Sequence, residues 1–450
     1  MKVDMTHGPM GKKTLVFALF LGLTGLLQQL FNAIDTVIMG QFVGKEAMAA
    51  VGSNTPIVSL IVTFFIGISL GSNVVISQLT GKRDLEGVSK AVHTSIVFAV
   101  AGGLVMTLVG ELLAEPLLEM LQVPEEIMAM ALKYLRIIFL AMPGILMYNF
   151  TSAIFRSQGD TRTPLFCLLF SGIIKVIISY SLVVYGGFDV GAVAISTMCA
   201  TLLSSCMLLA LLVHTKMAIR IQWRKLTLDI ELLQEILRIG SPAGLQSAVF
   251  CLSNIVIQAA INSLGTDVVA ASAAAFNLEI LAYIFVNAFG QTCTTFVGQN
   301  YGSGNMVRCY RVGIITTLQN LGFTIVICGA ILYFGMPLLR LFNEDVAVVT
   351  YGLIRLQYIL YAEPLNLVIE MISGYLRGFG ESLRPALMAV VGICGIRMIY
   401  VAAFLPSHMT FNWLMAVYPL SWLMTAIGMV GLLFWVKGKY HEPGKVMRNE

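Results

Sequence analysis

Residues 155–164 read FRSQGDTRTP, and residues 376–385 read LRGFGESLRP. In both, an arginine precedes a glycine turn and a proline opens the next helix, where its missing N–H does no harm. The two segments lie 221 residues apart (155 to 376), and the same spacing aligns much of the chain. Gly44 meets Gly265, Gln78 meets Gln299, Gly81 meets Gly302, Pro116 meets Pro337, Pro143 meets Pro364 and Ser152 meets Ser373. Chance predicts about 0.2 proline pairs at one offset, whereas three are present among 13 prolines. The chain is a duplication.

Composition says what was duplicated. Of 450 residues, 58% are apolar and 12% charged, with a mean hydropathy of +0.85. Soluble chains carry about 25% charged residues, so soluble enzymes, nucleic-acid binders, disordered chains and disulfide scaffolds fit poorly. A net charge of +4 gives no argument for a nucleic-acid partner. The eight cysteines show no CxxC spacing and lie mostly in apolar runs, as small packing residues do. Lys2, Lys12 and Lys13 precede an apolar run with no cleavage pattern, which reads as a retained first span. The chain reads as an all-α integral membrane protein solvated by the lipid bilayer.

A membrane helix needs ~20 mostly apolar residues. Twelve segments qualify: 14–40, 54–79, 91–114, 131–154, 164–185 and 191–213, then 240–263, 272–298, 311–335, 350–375, 385–405 and 412–436. Of 28 Lys and Arg, 21 fall on alternate connecting segments counted from the N-terminus, which places both termini in the cytoplasm. Lys45, Lys133, Arg136, Arg340 and Arg355 are assigned to the opposite, acid-rich side. With six spans per copy the repeat is parallel. The expected organisation is a six-helix lobe over 1–213, a cytoplasmic linker over 214–238 and a second lobe over 239–450. Within the linker, residues 228–237 place their leucines and Ile236 near one face, as in a short amphipathic helix lying on the membrane surface. Two pseudo-symmetric lobes suit alternating access, with a substrate site between them.

Charges inside spans are costly and need a reason. Gln28, Asn32 and Asp35 fall at i, i+4 and i+7 of span 1, one polar stripe. Asp35 either takes up and releases a proton or Na+, or stands in a fixed ion pair with Lys175 of span 5. The offset of 221 sets Val256 opposite Asp35, so the second copy lacks that carboxylate. It holds Glu279 in span 8, and Glu363, Asn366 and Glu370 along one face of span 10. These acids either line a cation site, Na+ at Glu279 included, or pack as neutral hydrogen-bonded groups. Arg397 in span 11 nearly matches Lys175. The glycine-bearing loops SQLTGKRD and GQNYGSGN, like the opening pair, read as hinges with arginines at the cytoplasmic surface. No phosphate-loop, nucleophile or metal-ligand pattern appears, and the His at 7, 93, 214, 408 and 441 are scattered, so neither an enzyme nor an ATP-driven pump is indicated. The 24 Met and 10% aromatic residues would suit an adaptable cavity for bulky organic cations.

Taken together, QQLFNAIDTVIMGQFVG followed by AAVG, GSNVVISQLTGKRD with its twin FVGQNYGSGN, the paired opening loops and YPLSW in span 12 resemble the multidrug and toxic compound extrusion (MATE) transporters over essentially the whole chain. The resemblance implies a V-shaped pair of six-helix lobes in the cell membrane, a monomer that exchanges Na+ or H+ for amphipathic organic cations and needs no other cofactor. It assigns Asp35 to the acidic coupling residue of span 1, with Gln28 and Asn32 as polar neighbours. Glu279 resembles an acid found in span 8 of some bacterial members. Three places depart from the pattern. Lys175 and Ser179 stand where Asn and Asp are frequent, Phe250 stands where some members carry a Glu, and Asn366 stands where some carry an Asp. A flippase for a lipid-linked precursor is the alternative. It would favour a cationic cavity, against which Asp35, Glu279, Glu363 and Glu370 outnumber Lys175 and Arg397.

Overall fold

The computed structural model describes residues 5–403 and 410–440, with side chains to 436. Lys2, Lys445 and Arg448 among the orientation residues, and His408 and His441, lie outside the described residues. Within them the chain is helical, without strands. The long helices are α1 (Met10–Ile38), α2 (Lys45–Lys82), α3 (Leu85–Met120), α4 (Glu125–Ser157), α5 (Arg162–Val184) and α6 (Gly191–His214). The second copy supplies α7 (Ile230–Asn262), α8 (Thr266–Gly302), α9 (Met306–Tyr333), the short α10 (Gly335–Arg340), α11 (Val346–Gly378), α12 (Leu383–Ala389), α13 (Ile396–Ala403) and α14 (Phe411–Tyr440). Helix is imposed by lipid, where every backbone polar group must bond within its own segment.

Eleven of these segments are long and apolar enough to cross a membrane. The expected span 350–375 lies in α11, 33 residues long. Its Glu363, Asn366 and Glu370 hold its hydropathy down. Span 11 is not one regular helix, because a π-helical turn, Val390–Gly395, joins α12 to α13. A second π turn, Met39–Val43, follows α1 and ends at Gly44, whose φ of 128° suits glycine. Side chains close the starts of α3 and α11, with Asp84 accepting from Gly87 N at 2.8 Å and Asp345 accepting from Ala347 N at 2.7 Å.

The expected surface helix over 228–237 is not a separate element. Helix α7 begins at Ile230, after Asp229 accepts from Leu232 N at 3.1 Å, and continues unbroken beyond Pro242. Of the apolar face read as membrane-seeking, Ile236 is buried and Leu232 and Leu237 pack partly against the core of unit 1, while Leu228 stays exposed. The preceding linker is tied to α3 by Gln222 N donating to His93 Nε2 and Asp229 N donating to Thr94 Oγ1.

Two compact units result. Unit 1 holds the chain up to Gly8, Leu19–Ala248 and Gly298–Asn305; unit 2 holds Pro9–Ala18, Val249–Val297 and the chain from Met306. In unit 1, α4 is the central helix, packed on α2, α3 and α6, with Leu135, Phe139, Met142 and Phe150 at its core. Its counterpart α11 packs on α9 and α14 in unit 2. A helix walled in by protein can carry polar groups that a lipid-facing helix cannot, which explains why the charges of the second copy collect on α11.

Glycines set the close crossings of unit 1. A Cβ on Gly71 would stand 2.9 Å from Gly240 N, and one on Gly67 2.8 Å from Ala243 C, so α2 and α7 touch backbone to backbone. At the end of α2 the contact is reciprocal. A Cβ on Gly81 would strike Gln299, and one on Gly302 would strike Gln78, each lying 2.9 Å from a neighbouring backbone atom. The α4–α5 loop closes over this crossing, with Gln299 Nε2 donating to Ser157 O at 2.5 Å and Gln158 Nε2 to Thr80 Oγ1 at 2.7 Å.

Candidate functional site: buried charges in each unit

In unit 1, Lys175 Nζ of α5 donates to Asp35 Oδ2 of α1 at 2.5 Å. Both residues are 7% exposed. Gly172, one turn earlier on α5, lets the Phe31 ring lie against the backbone, which brings the helices close enough for the pair. The contact has a single prong, for Asp35 Oδ1 is buried without a hydrogen-bond partner among the described residues. Ser179, one turn beyond Lys175, carries a buried hydroxyl in the same condition. Tyr134 of α4 stands within electrostatic range of Asp35. The expected stripe divides here, because Gln28 and Asn32 are exposed whereas Asp35 turns into the unit.

Unit 2 holds its charges differently. Arg355 donates to both oxygens of Glu279, Nη2 to Oε1 at 2.6 Å and Nε to Oε2 at 3.1 Å, a two-pronged pair between α11 and α8. Reading Arg355 as an outer-surface orientation residue is therefore corrected. It is 4% exposed, and Glu279 is not a free acid. The signal was present in the sequence. Counting from Arg355, steps of eight, three and four reach Glu363, Asn366 and Glu370, one continuous helix face. Asn366 Nδ2 donates to Glu363 Oε1 at 2.9 Å. Glu370, 8% exposed, has neither a hydrogen bond nor an ion pair among the described residues. Arg377, expected at the cytoplasmic surface, is also buried, two turns beyond Glu370 and outside ion-pair distance.

Arg397 has no carboxylate in contact among the described residues. Its Nη1 donates to Asn254 Oδ1 at 3.0 Å and its Nε to Ser421 Oγ at 3.3 Å. The guanidinium stands 4.5 Å from the centre of the Tyr418 ring and 6.0 Å from that of Trp422. Three residues of the YPLSW stretch thus hold one cation by a hydroxyl and two π faces.

A duplicated helical bundle long and apolar enough to cross a membrane many times, with scarce charges gathered and largely neutralised inside each unit, has the build of a membrane transporter. The chain belongs to the MatE family of transporters: the family model matches residues 21–181 and again 242–402, two matches themselves 221 residues apart. The probable multidrug resistance protein YpnP of Bacillus subtilis is 26% identical over 406 residues, 89% of this chain and 90% of that protein. The probable multidrug resistance protein NorM of Thermotoga maritima is 24% identical over 439 residues, 94% and 91% of the two chains. A crystal structure of MATE in the straight conformation superimposes with a TM-score of 0.88 at 18% identity, covering 97% of this chain and 98% of that one. The all-α MATE fold is therefore that of this protein.

Proposed function

We propose that this transporter is a secondary active multidrug exporter, exchanging amphipathic organic cations for Na+ or H+ across the cell membrane by alternating access, as a monomer with both termini cytoplasmic. The observation that carries the reading is Glu370. A buried carboxylate with no hydrogen-bond or ion-pair partner is costly within a membrane helix. A proton or a small cation removes that cost, and the residual exposure of Glu370 leaves it reachable. Glu363 and Asn366 continue the same helix face and add oxygen donors. The exposed Gln28 and Asn32 supply uncharged polar groups for substrate. The alternative of a flippase for an anionic precursor draws less support, since Lys175, Arg355 and Arg397 are each occupied by groups of the protein.

The test is uptake of a fluorescent cation such as ethidium into proteoliposomes, driven by Na+ and H+ gradients imposed separately. One gradient should drive counter-movement of the dye, and Glu370→Gln should abolish the gradient dependence while leaving the protein folded. Dye movement indifferent to both gradients would sink the antiport reading. Normal coupling in Glu370→Gln would displace the site from α11.

A further inference from the structure

The pair in unit 1 is a carboxylate that brings its own cation. We propose that the Lys175 ammonium is a tethered counter-ion filling the cation place at Asp35, so that α1 and α5 exclude a free monovalent cation and leave cation binding to the acids of α11. The last clause rests on the reading above; the exclusion at Asp35 stands on the pair alone.

Three observations converge. First, the ammonium already neutralises Asp35 at 2.5 Å, and a second cation beside the same carboxylate would face it in a low-dielectric interior. Second, the helices hold buried oxygens beyond what Lys175 uses: Asp35 Oδ1 and, one turn beyond Lys175 on α5, Ser179 Oγ have no hydrogen-bond partner among the described residues. Hard monovalent cations are held by such oxygens. Third, Lys175 holds Asp35 through one point-charge contact, so removing the lysine leaves an open carboxylate with an unused oxygen, whereas the planar fork of Arg355 uses both oxygens of Glu279.

The experiment measures binding of radioactive Na+ and Na+-dependent melting on the purified full-length chain in detergent, at alkaline pH so that protons do not compete. Asp35→Asn should bind as many Na+ as the native chain, whether that is none or several. Lys175→Met should gain a Na+ site and melt higher in Na+ than in choline. The double variant should lose the gain, and Lys175→Arg should behave as the native chain does. Loss of a Na+ site in Asp35→Asn, no gain in a folded Lys175→Met, or a gain that persists without Asp35 would each overturn the proposal. Lys175→Gln, which removes the charge and keeps a donor, is read in the same way if the methionine variant does not fold. The binding pattern does not depend on any transport result, so failure of dye exchange with the pattern intact would count against the export reading alone.

Discussion

The two copies of the repeat make the same kind of bond at nearly the same place and make it from different chemistry. In unit 1 the fifth long helix sends Lys175 to Asp35 on the first. In unit 2, α13 sends Arg397 to Asn254 on α7, one and two residues away from strict register. One cation meets a carboxylate. The other meets an amide, a hydroxyl and two aromatic rings. Each copy therefore has a cation bridging corresponding helices, and the two copies differ in how its charge is compensated. Removing a cation from a carboxylate leaves an uncompensated buried charge, while removing one from neutral partners leaves none.

That difference has a measurable size. Arg355→Met should be the most damaging change, costing about 3–5 kcal/mol, because it strands Glu279 without either of its bonds. Thermal melting in detergent would show it, and a cost no greater than that of a surface pair would mean the clamp is not structural. Lys175→Met should fall at the lower end of the same range near neutral pH, roughly 3 kcal/mol, since it also strands a carboxylate but breaks only one bond. Acid should recover much of that loss by protonating Asp35; a cost independent of pH would show that packing of the lysine stem is responsible. Arg397→Met should cost less, about 1–2 kcal/mol, the scale of a desolvated cation–π contact with a hydrogen bond. If it equals Lys175→Met, the proposed contrast between charged and neutral compensation collapses.

The smallest effect belongs to the loop before α6, where Lys133 Nζ donates to Asp189 at 2.7 Å with both side chains substantially exposed. Partial burial would raise the Asp189 carboxyl, but the Lys133 bond and the Gly191 N–H outweigh it and hold the group below the usual carboxylate range. A depressed carboxyl contributes stability above its unfolded pKa and loses it as pH falls through the folded value. Lys133→Ala should therefore cost less than about 1 kcal/mol at neutral pH. The difference from the native chain should vanish in acid; a difference that grows on acidification would contradict the assignment.

The duplication, the helical membrane class and the family could all be read from the chain, because prolines, glycines and long apolar runs leave local marks. Pairing left fewer. Asp35 and Lys175 are 140 residues apart, and Glu279 and Arg355 are 76 apart. Hydropathy counts charges in a window without saying which neighbour each one meets. Arg355 shows why: near a span end, an arginine that faces headgroups and one that faces a glutamate look alike in composition. Asn254 lies within the apolar segment 240–263, where nothing local distinguishes a partner for Arg397 from a residue lining a cavity. The continuity of α7 is not legible because an amphipathic face has the same period whether it meets lipid or protein.

The crossing at Gly81 and Gly302 has a consequence of its own. Each glycine receives the glutamine three residues before the other, so the two contacts are reciprocal. Residue i touching j while j touches i is the signature of an isologous interface between identical subunits. A half-length ancestor bearing one Gln and one Gly of this kind would have carried a self-complementary surface, able to bind a second copy of itself without any partner evolving. Gene fusion of two such copies would make that association permanent. The halves differ elsewhere, as Asp35 opposite Val256 shows, while Gln78 and Gln299, with Gly81 and Gly302, match at this contact.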